Sequence, residues 1–370
     1  GPWNGRFVVN GRCIRILSSV GPMTLLARSA STVLALVLSI GCGSSASPGT
    51  GGSAGSGGVG GSAGTTGGAG NGGSGGVGGE DGTALLAASF NIRFDPVDEN
   101  SAVEPNGWTN PEGPRRDLVI DVITEMDADV IGLQEALEPQ VVDLTSALPE
   151  YTFFGVGRDD GATEGEYAGI FYRSSRFSQV DGGHFWLSET PEIPGTVFEG
   201  SAATRMATWV RLCDEVAKRE FVFLNTHWDH VSQESRELSA ALVRERLATI
   251  AGDVPVIVTG DLNAWPGNPA LDILLEAEPA QSPQLIDGYR QANPTVEEDE
   301  GTVHYFLGIT GGLRIDFVLH DQGFQTVDTQ IVRTNVDDRY PSDHYPVTGA
   351  LGWTGDASGT PCSAAVSYTH

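Results

Sequence analysis

Val256-Ile257-Val258-Thr259-Gly260-Asp261-Leu262-Asn263 is an apolar run of strand length that ends on a carboxylate and an amide. A second run, Phe221-Val222-Phe223-Leu224, leads into Asn225-Thr226-His227-Trp228-Asp229-His230. Charged groups at the mouth of a core are costly unless they are paired or bind a metal. Working outward, the same design recurs. The run from Leu85 ends on Ser89-Phe90-Asn91-Ile92-Arg93, and Val130-Ile131-Gly132-Leu133 leads into Gln134-Glu135. Arg314-Ile315-Asp316-Phe317-Val318-Leu319 carries one acid inside an apolar strand, and Ser342-Asp343-His344 precedes Tyr345-Pro346-Val347. One such end alone reads as a solvated strand terminus, and Gly-Asp-x-Asn alone reads as a β-turn. Six together, built from Asn, Asp, Glu and His, describe an active site.

Composition bounds the rest. Residues 43–79 hold 19 glycines in 37 positions and no charge, so they cannot bury enough apolar area to offset ordering entropy. The expectation for residues 43–81 is a flexible tether of about 35 Å end to end. Before it, the apolar run 33–40 is too short to span a bilayer and fits the core of a signal peptide, with Arg28 supplying the preceding positive charge. Cys42 after Gly41 resembles a bacterial lipoprotein cleavage site, although Ser39 stands where a branched apolar residue is usual. Lipidation at Cys42, an extracytoplasmic location and membrane attachment only through that anchor are therefore expected, with simple secretion as the alternative. Met23 is the expected start, and residues 1–22 are set aside. Cys213 and Cys362 either pair in an oxidising compartment or remain a buried thiol and a tail thiol. Residues 81–370 carry 17 Lys plus Arg against 47 Asp plus Glu, a balance of −30. That balance argues against a broad surface for wrapping nucleic acid, but not against a locally basic site aided by metal ions.

The blocks 91–93, 134–135, 226–230, 260–263, 314–316 and 342–344, in this order, resemble the endonuclease/exonuclease/phosphatase superfamily. The likeness covers about residues 84–352. Three further strings, 155–172, 185–191 and 301–306, resemble its bacterial secreted or lipoprotein branch. The resemblance implies an α/β (α+β) fold: a four-layered two-sheet β-sandwich flanked by helices, with loops from one edge of both sheets meeting at the site. The catalytic domain is then 82–353, followed by a tail over 354–370. Residues 114–127 and 233–251 show helical spacing, opened by Pro114 in the first case, with Leu238, Ala241, Leu242, Leu247 and Ile250 as the apolar face of the second. Strands are predicted at 85–92, 129–134, 151–155, 168–173, 204–213, 220–226, 255–260, 314–319 and 345–351.

The chemistry expected is hydrolysis of a phosphate ester. Oxygen ligands without cysteine suit Mg²⁺ or Mn²⁺, with Ca²⁺ as a further hard cation. The resemblance makes Glu135 the metal ligand, with Asp343 a second-metal or supporting ligand. It also gives Asp261 the attacking water, and Asn263 and Asn91 the phosphate oxygens. Asp261 and Asn263, two apart on an extended segment, point to the same side. His227 and His344 flank the phosphate, each held cationic by an acid behind it: Asp316 for His344 and Glu166 for His227. Arg93 and Arg205 are either outer phosphate contacts or ordinary surface ion pairs. Arg93 stands where abasic-site enzymes carry an acid, which argues against a second acidic metal ligand there. Tyr167, His304 and Tyr305 are expected along the substrate cleft, and Trp108 and Arg116 in the frame. Asp229 and His230 either extend the site or cap the following helix. An extracytoplasmic nuclease is the leading substrate reading, acting as a monomer on a phosphodiester. The rivals are a sphingomyelinase-like lipid phosphodiesterase and an inositol or sugar phosphatase. A catalytically silent surface-binding lipoprotein is the alternative of another class.

Overall fold

The structure is a computed structural model that describes residues 6–9, 12–15, 84–275, 283–355 and Cys362. Cys42, the glycine-rich stretch and most of the tail lie outside the described residues. Two short strands, β1 (Arg6–Val9) and β2 (Arg12–Arg15), pair antiparallel within a unit spanning Gly1–Asn71. In the second unit, Gly72–His370, the chain first runs β3 (Leu85–Asn91), α1 (Arg115–Met126), β4 (Val130–Ala136), α2 (Glu138–Ala147), β5 (Tyr151–Phe154) and β6 (Tyr167–Arg173). Next come β7 (Phe177–Trp186), β8 (Met206–Asp214), β9 (Arg219–His227), α3 (Gln233–Ala251), β10 (Val256–Asp261) and α4 (Pro269–Leu275). The last elements are β11 (Ile286–Asp287), α5 (Gly288–Ala292), β12 (Asp316–His320), β13 (Phe324–Ile331) and β14 (Val347–Trp353).

Two six-stranded mixed sheets result, ordered β13-β14-β3-β4-β6-β5 and β11-β12-β10-β9-β8-β7. The alternation of side chains along each strand assigns the layers. Phe221, Phe223, Ile257 and Val318 point inward to meet Ala87, Val130 and Ile170 of the other sheet. Their neighbours Val222, Leu224, Val256 and Val258 point outward under Val243 and Leu247 of α3 and Leu271 of α4. On the opposite outer face Ala88, Phe90, Ile131 and Leu133 lie under α1 and α2 through Val122, Ile123, Val141 and Leu144. Both faces of the central strands are buried, which is why their sequences read as unbroken apolar runs.

A polar seam crosses the inter-sheet core near the site. Asn225 of β9 donates to the carbonyls of Leu133 and Gly169 (2.8 and 2.9 Å) and accepts from Gln134 Nε2 and Thr259 Oγ1 (2.7 and 3.1 Å). The sheets approach so closely here that a Cβ on Gly132 would stand 2.1 Å from Thr259 Oγ1.

The edge strands β7 and β13 were not foreseen. Both are polar along much of their length, as edges that must resist pairing with other chains often are. The helices α2, α4 and α5 were also missed, being short. The expected apolar face of α3 is rotated. Leu238 and Ala241 face solvent, and Ser235, Ser239, Ala240 and Val243 go inward, small residues that let the helix pack close to its neighbours. Cys213 and Cys362 form a disulfide with a Cα–Cα distance of 5.4 Å, which decides between the two states left open. Among the described residues, no helix is long and apolar enough to cross a membrane.

Candidate active site

Strand register brings the first three groups together. His227 ends β9, Asp261 ends β10 and Asp316 begins β12, and the pairings His227↔Asp261 and Asp261↔Asp316 place them in one row across the sheet. From the facing sheet, Asn91 and Glu135 come off the parallel pair β3 and β4. Asp343 and His344 come from the segment just before β14.

Three residues at this junction adopt left-handed backbone: Arg93 (φ 57°), Glu135 (φ 65°) and Asn263 (φ 47°). Each costs roughly 1–2 kcal/mol for an L-residue that is not glycine. Glu135 lies where the β4–β6 register slips between Leu133 and Ala136, a bulge that re-aims its side chain. Such strained positions cluster where the surrounding structure holds a functional geometry.

Arg115, not singled out from the sequence, supplies much of that hold. It is buried, and its guanidinium donates to the carbonyls of Ile92, Arg93, Asn106 and Pro341, tying the Asn91 and Ser342 segments together. Ser342 Oγ adds a 2.6 Å bond to the Asn91 carbonyl. Gln140 Nε2 donates to the Arg93 carbonyl from α2. Trp108 is buried, with its indole N–H on Asp143, and belongs to the frame as expected, whereas Arg116 makes an exposed ion pair with adjacent Asp117.

The carboxylates are joined by one amide. Asn91 Nδ2 donates to Glu135 Oε1 and Asp261 Oδ2, both at 3.0 Å. Both amide hydrogens are thereby engaged, so Asn91 spaces the two acids in this structure and has none left for phosphate. Burial pushes Asp261 up, as does the charge of neighbouring Asp316, to about 7. Burial acts on Glu135 in the same direction. Arg93 and the Asn91 amide outweigh it and hold that carboxyl below the usual range.

The two histidines differ. His344 Nδ1 lies 2.9 Å from Asp316 Oδ2 and 3.9 Å from Asp261 Oδ2. Burial opposes the charge, but these acids, Asp316 foremost, raise His344 to about 10, so it is cationic with Nε2–H free to donate. His227 is neutral. Burial lowers it well below 6.5, helped by Arg205, whose Nη1 is 2.8 Å from His227 Nδ1. Arginine only donates, so Nδ1 accepts and the ring proton is on Nε2, 3.5 Å from Asp261 Oδ2.

The expected Glu166–His227 pair is not formed. Arg158 takes both oxygens of Glu166 in a two-pronged contact (2.6 and 2.9 Å), leaving His227 Nδ1 3.8 Å away. Arg205 does not reach outward to a phosphate either. It is buried, and its second prong lies 3.1 Å from His230 Nδ1. Asn263 Nδ2 donates to the Trp228 carbonyl and lies 3.2 Å from His227 Nε2.

Tyr167 lines a small pocket with Glu166, Arg205 and His227, its hydroxyl on Glu138. His304, also expected along the cleft, is fully buried, stacked on Tyr345 at 3.9 Å and pushed by burial to about 4. Tyr305 remains on the surface. Asp229 is a staple: its carboxylate accepts from the N–H groups of Ala202, Ala203, Val231 and Ser232, leading into α3.

A hard divalent cation fits the groups present. Glu135 and Asp343 both face Arg93, at 3.4 and 3.8 Å, so a positive charge already stands between two nearly buried carboxylates. Arg93 is itself 40% exposed. Glu135, His227 and Asp261 also offer ligand atoms within 4.8 Å of one another.

Residues 88–344 match the model of the Endonuclease/Exonuclease/phosphatase family. A crystal structure of such a protein from Bacteroides vulgatus is 34% identical, with a TM-score of 0.66 over 74% of this chain and 100% of that one. The mannosyl-6-phosphatase Bt3783 of Bacteroides thetaiotaomicron is 30% identical, with a TM-score of 0.65 over 73% and 100%. TDP2 of D. rerio, complexed with single strand DNA product, shares the fold at 15% identity, with a TM-score of 0.54 over 73% and 99%. No curated protein matches.

Proposed function

Because the chain belongs to the endonuclease/exonuclease/phosphatase family, we propose that it hydrolyses a small phosphate ester with a divalent cation, Mg²⁺ or Mn²⁺, outside the cytoplasm. The observation that carries the reading is the row His227–Asp261–Asp316 with cationic His344 against it. It combines a carboxyl poised near neutrality with a charged donor whose outer nitrogen is free. Asp261 takes a proton from water as that oxygen bonds to phosphorus and the phosphorus–oxygen bond to the alcohol breaks. His344 donates to a phosphoryl oxygen, where negative charge builds, and the departing oxygen takes a proton from solvent. His227 Nε2–H, fixed by Arg205, faces the same space. A cation held by Glu135 and Asp343 would supply charge neutralisation at the phosphate.

A small ester is favoured over nucleic acid by the balance of −30 over residues 81–370 and by the mannosyl-6-phosphatase at 30% identity. The nuclease reading rests on partly exposed Arg93 beside Asn91. The disulfide supports an oxidising compartment, and attachment through lipid on Cys42 belongs to the same proposal. The purified protein should release phosphate from hexose phosphates with Mg²⁺ or Mn²⁺ and not with EDTA. Metal-dependent cutting of an oligonucleotide with no release from monoesters would sink the small-ester reading.

A further inference from the structure

A cleft of about 210 Å³ opens beside the site, between the segment that follows Asn91 and the turn that precedes the Asp343 block. One wall is tied to the Glu135 carboxylate and the other to the backbone of Asp343. On one side Phe94 N–H donates to Glu135 Oε2 at 3.2 Å. On the other, the N–H groups of His304 and Tyr305 both bond the Asp343 carbonyl, at 2.8 and 3.1 Å, just before Phe306. Tyr305 and Phe306 are consecutive left-handed residues (φ 53° and 58°), a costly conformation that turns Phe306 into the cleft. Phe306 thus contributes a cleft wall.

Arg93 and Arg115 also line the cleft, Arg93 paired with Glu135 and Asp343 and Arg115 spent on backbone carbonyls. Beyond the aromatic walls the lining includes Asp98, Glu104 and Asn106. The loop bearing them is pinned. Asp95 accepts from Val97 N–H and Trp108 N–H, and Arg115 holds the Asn106 carbonyl at 2.8 Å. The cleft is therefore preformed, not shaped by its occupant.

We propose, resting on the function above, that this cleft receives the alcohol side of the ester, and that this group is neutral and rich in hydroxyls, a sugar ring or cyclic polyol. Aromatic faces suit the C–H face of a ring. Carboxylates and an amide accept from hydroxyl groups, whereas Asp98 and Glu104 would repel the further phosphates of a polynucleotide or polyphosphate. A single phosphate at the His344–Asp261 centre with an uncharged ring alongside satisfies both halves.

The test compares kcat/KM for a hexose 6-phosphate and for methyl phosphate, whose alcohol is too small to enter the cleft, in the wild type, Asn106→Ala, Phe306→Leu and Asp316→Asn. The wild type should prefer the hexose phosphate. The ratio of the two values should fall at least tenfold in Asn106→Ala and Phe306→Leu but hold in Asp316→Asn, which lowers both together. An unchanged ratio in the cleft variants, or a wild type without preference, would overturn the subsite while leaving the hydrolase standing. Faster turnover of an oligonucleotide than of any monoester would overturn the neutral-ring assignment. Failure to hydrolyse any phosphate ester with Mg²⁺ or Mn²⁺ would remove the function itself, and the subsite with it.

Discussion

Replacing Asp316 by Asn keeps the shape of the side chain and removes the charge 2.9 Å from His344 Nδ1. His344 is raised from 6.5 to about 10 against its own burial. Asp316 is the largest of the influences that keep the ring cationic. Without Asp316 the opposing burial gains weight, and the imidazole should be largely neutral at pH 8. Losing one charged donor to the developing phosphoryl charge lowers turnover on the order of 100- to 1000-fold. The same change also acts on Asp261, which Asp316 helps to push up to about 7. In the wild type kcat/KM should rise with pH as Asp261 ionises near 7 and fall as His344 loses its proton near 10. In Asp316→Asn both limbs should slide toward acid. Profiles between pH 5 and 11 on methyl phosphate would show this, with circular dichroism confirming the fold. His344→Ala should lose activity on a similar scale, and the double variant should be little worse than the worse single one. A profile that only shrinks without moving, or near-wild-type activity in folded His344→Ala, would refute the argument.

Other expectations follow from neighbouring contacts. Glu135→Gln should lose activity that returns in part at high Mg²⁺ or Mn²⁺, and a metal titration of turnover that recovers nothing would exclude a metal-affinity defect. Arg93→Gln removes the cation between Glu135 and Asp343. Calorimetry should then show metal binding tightened by up to about fivefold, the scale of a partly exposed ion pair. Arg205→Ala frees His227 Nδ1 and should let that imidazole charge at higher pH than in the wild type, as its NMR titration would report; an unmoved titration counts against the Arg205 clamp. Cys362→Ser should lower unfolding stability by about 2–5 kcal/mol, read from the urea midpoint. Its turnover should be kept, because Cys213 is at the end of β8 far from the site.

The strands that carry the site were legible because they are covered on both sides. Val222 and Leu224 face helices and Phe221 and Phe223 face the other sheet, so no alternation dilutes the signal. The edges β7 and β13 lack that cover, and their polar sequences conceal them. The Asp316–His344 contact was readable as an acid set behind a histidine. The partner of His227 was not, because it depends on which of two arginines takes Glu166: Arg158 stands 2.6 Å from it and Arg205 3.6 Å. Arg115 was passed over for a similar reason. An arginine in the first turn of a helix ordinarily meets water, and only the folded loops show the four carbonyls it holds. The left-handed residues at Arg93, Glu135 and Asn263 leave no glycine to betray them.

The pairing of β14 with β3 joins strands far apart in the chain, Leu351 beside Leu85 and Val347 beside Ser89. Asp343 and His344 lie in the segment that leads into β14. A ribosome-bound chain that has made Asn91, Glu135, Asp261 and Asp316 still lacks the donor histidine, and its β3 has an unsatisfied edge. Assembly of the site thus waits until the segment leading into β14 has been made. Fragments that stop short of β14 would be inert toward phosphate esters and, with an open strand edge, quick to be recognised by chaperones or proteases.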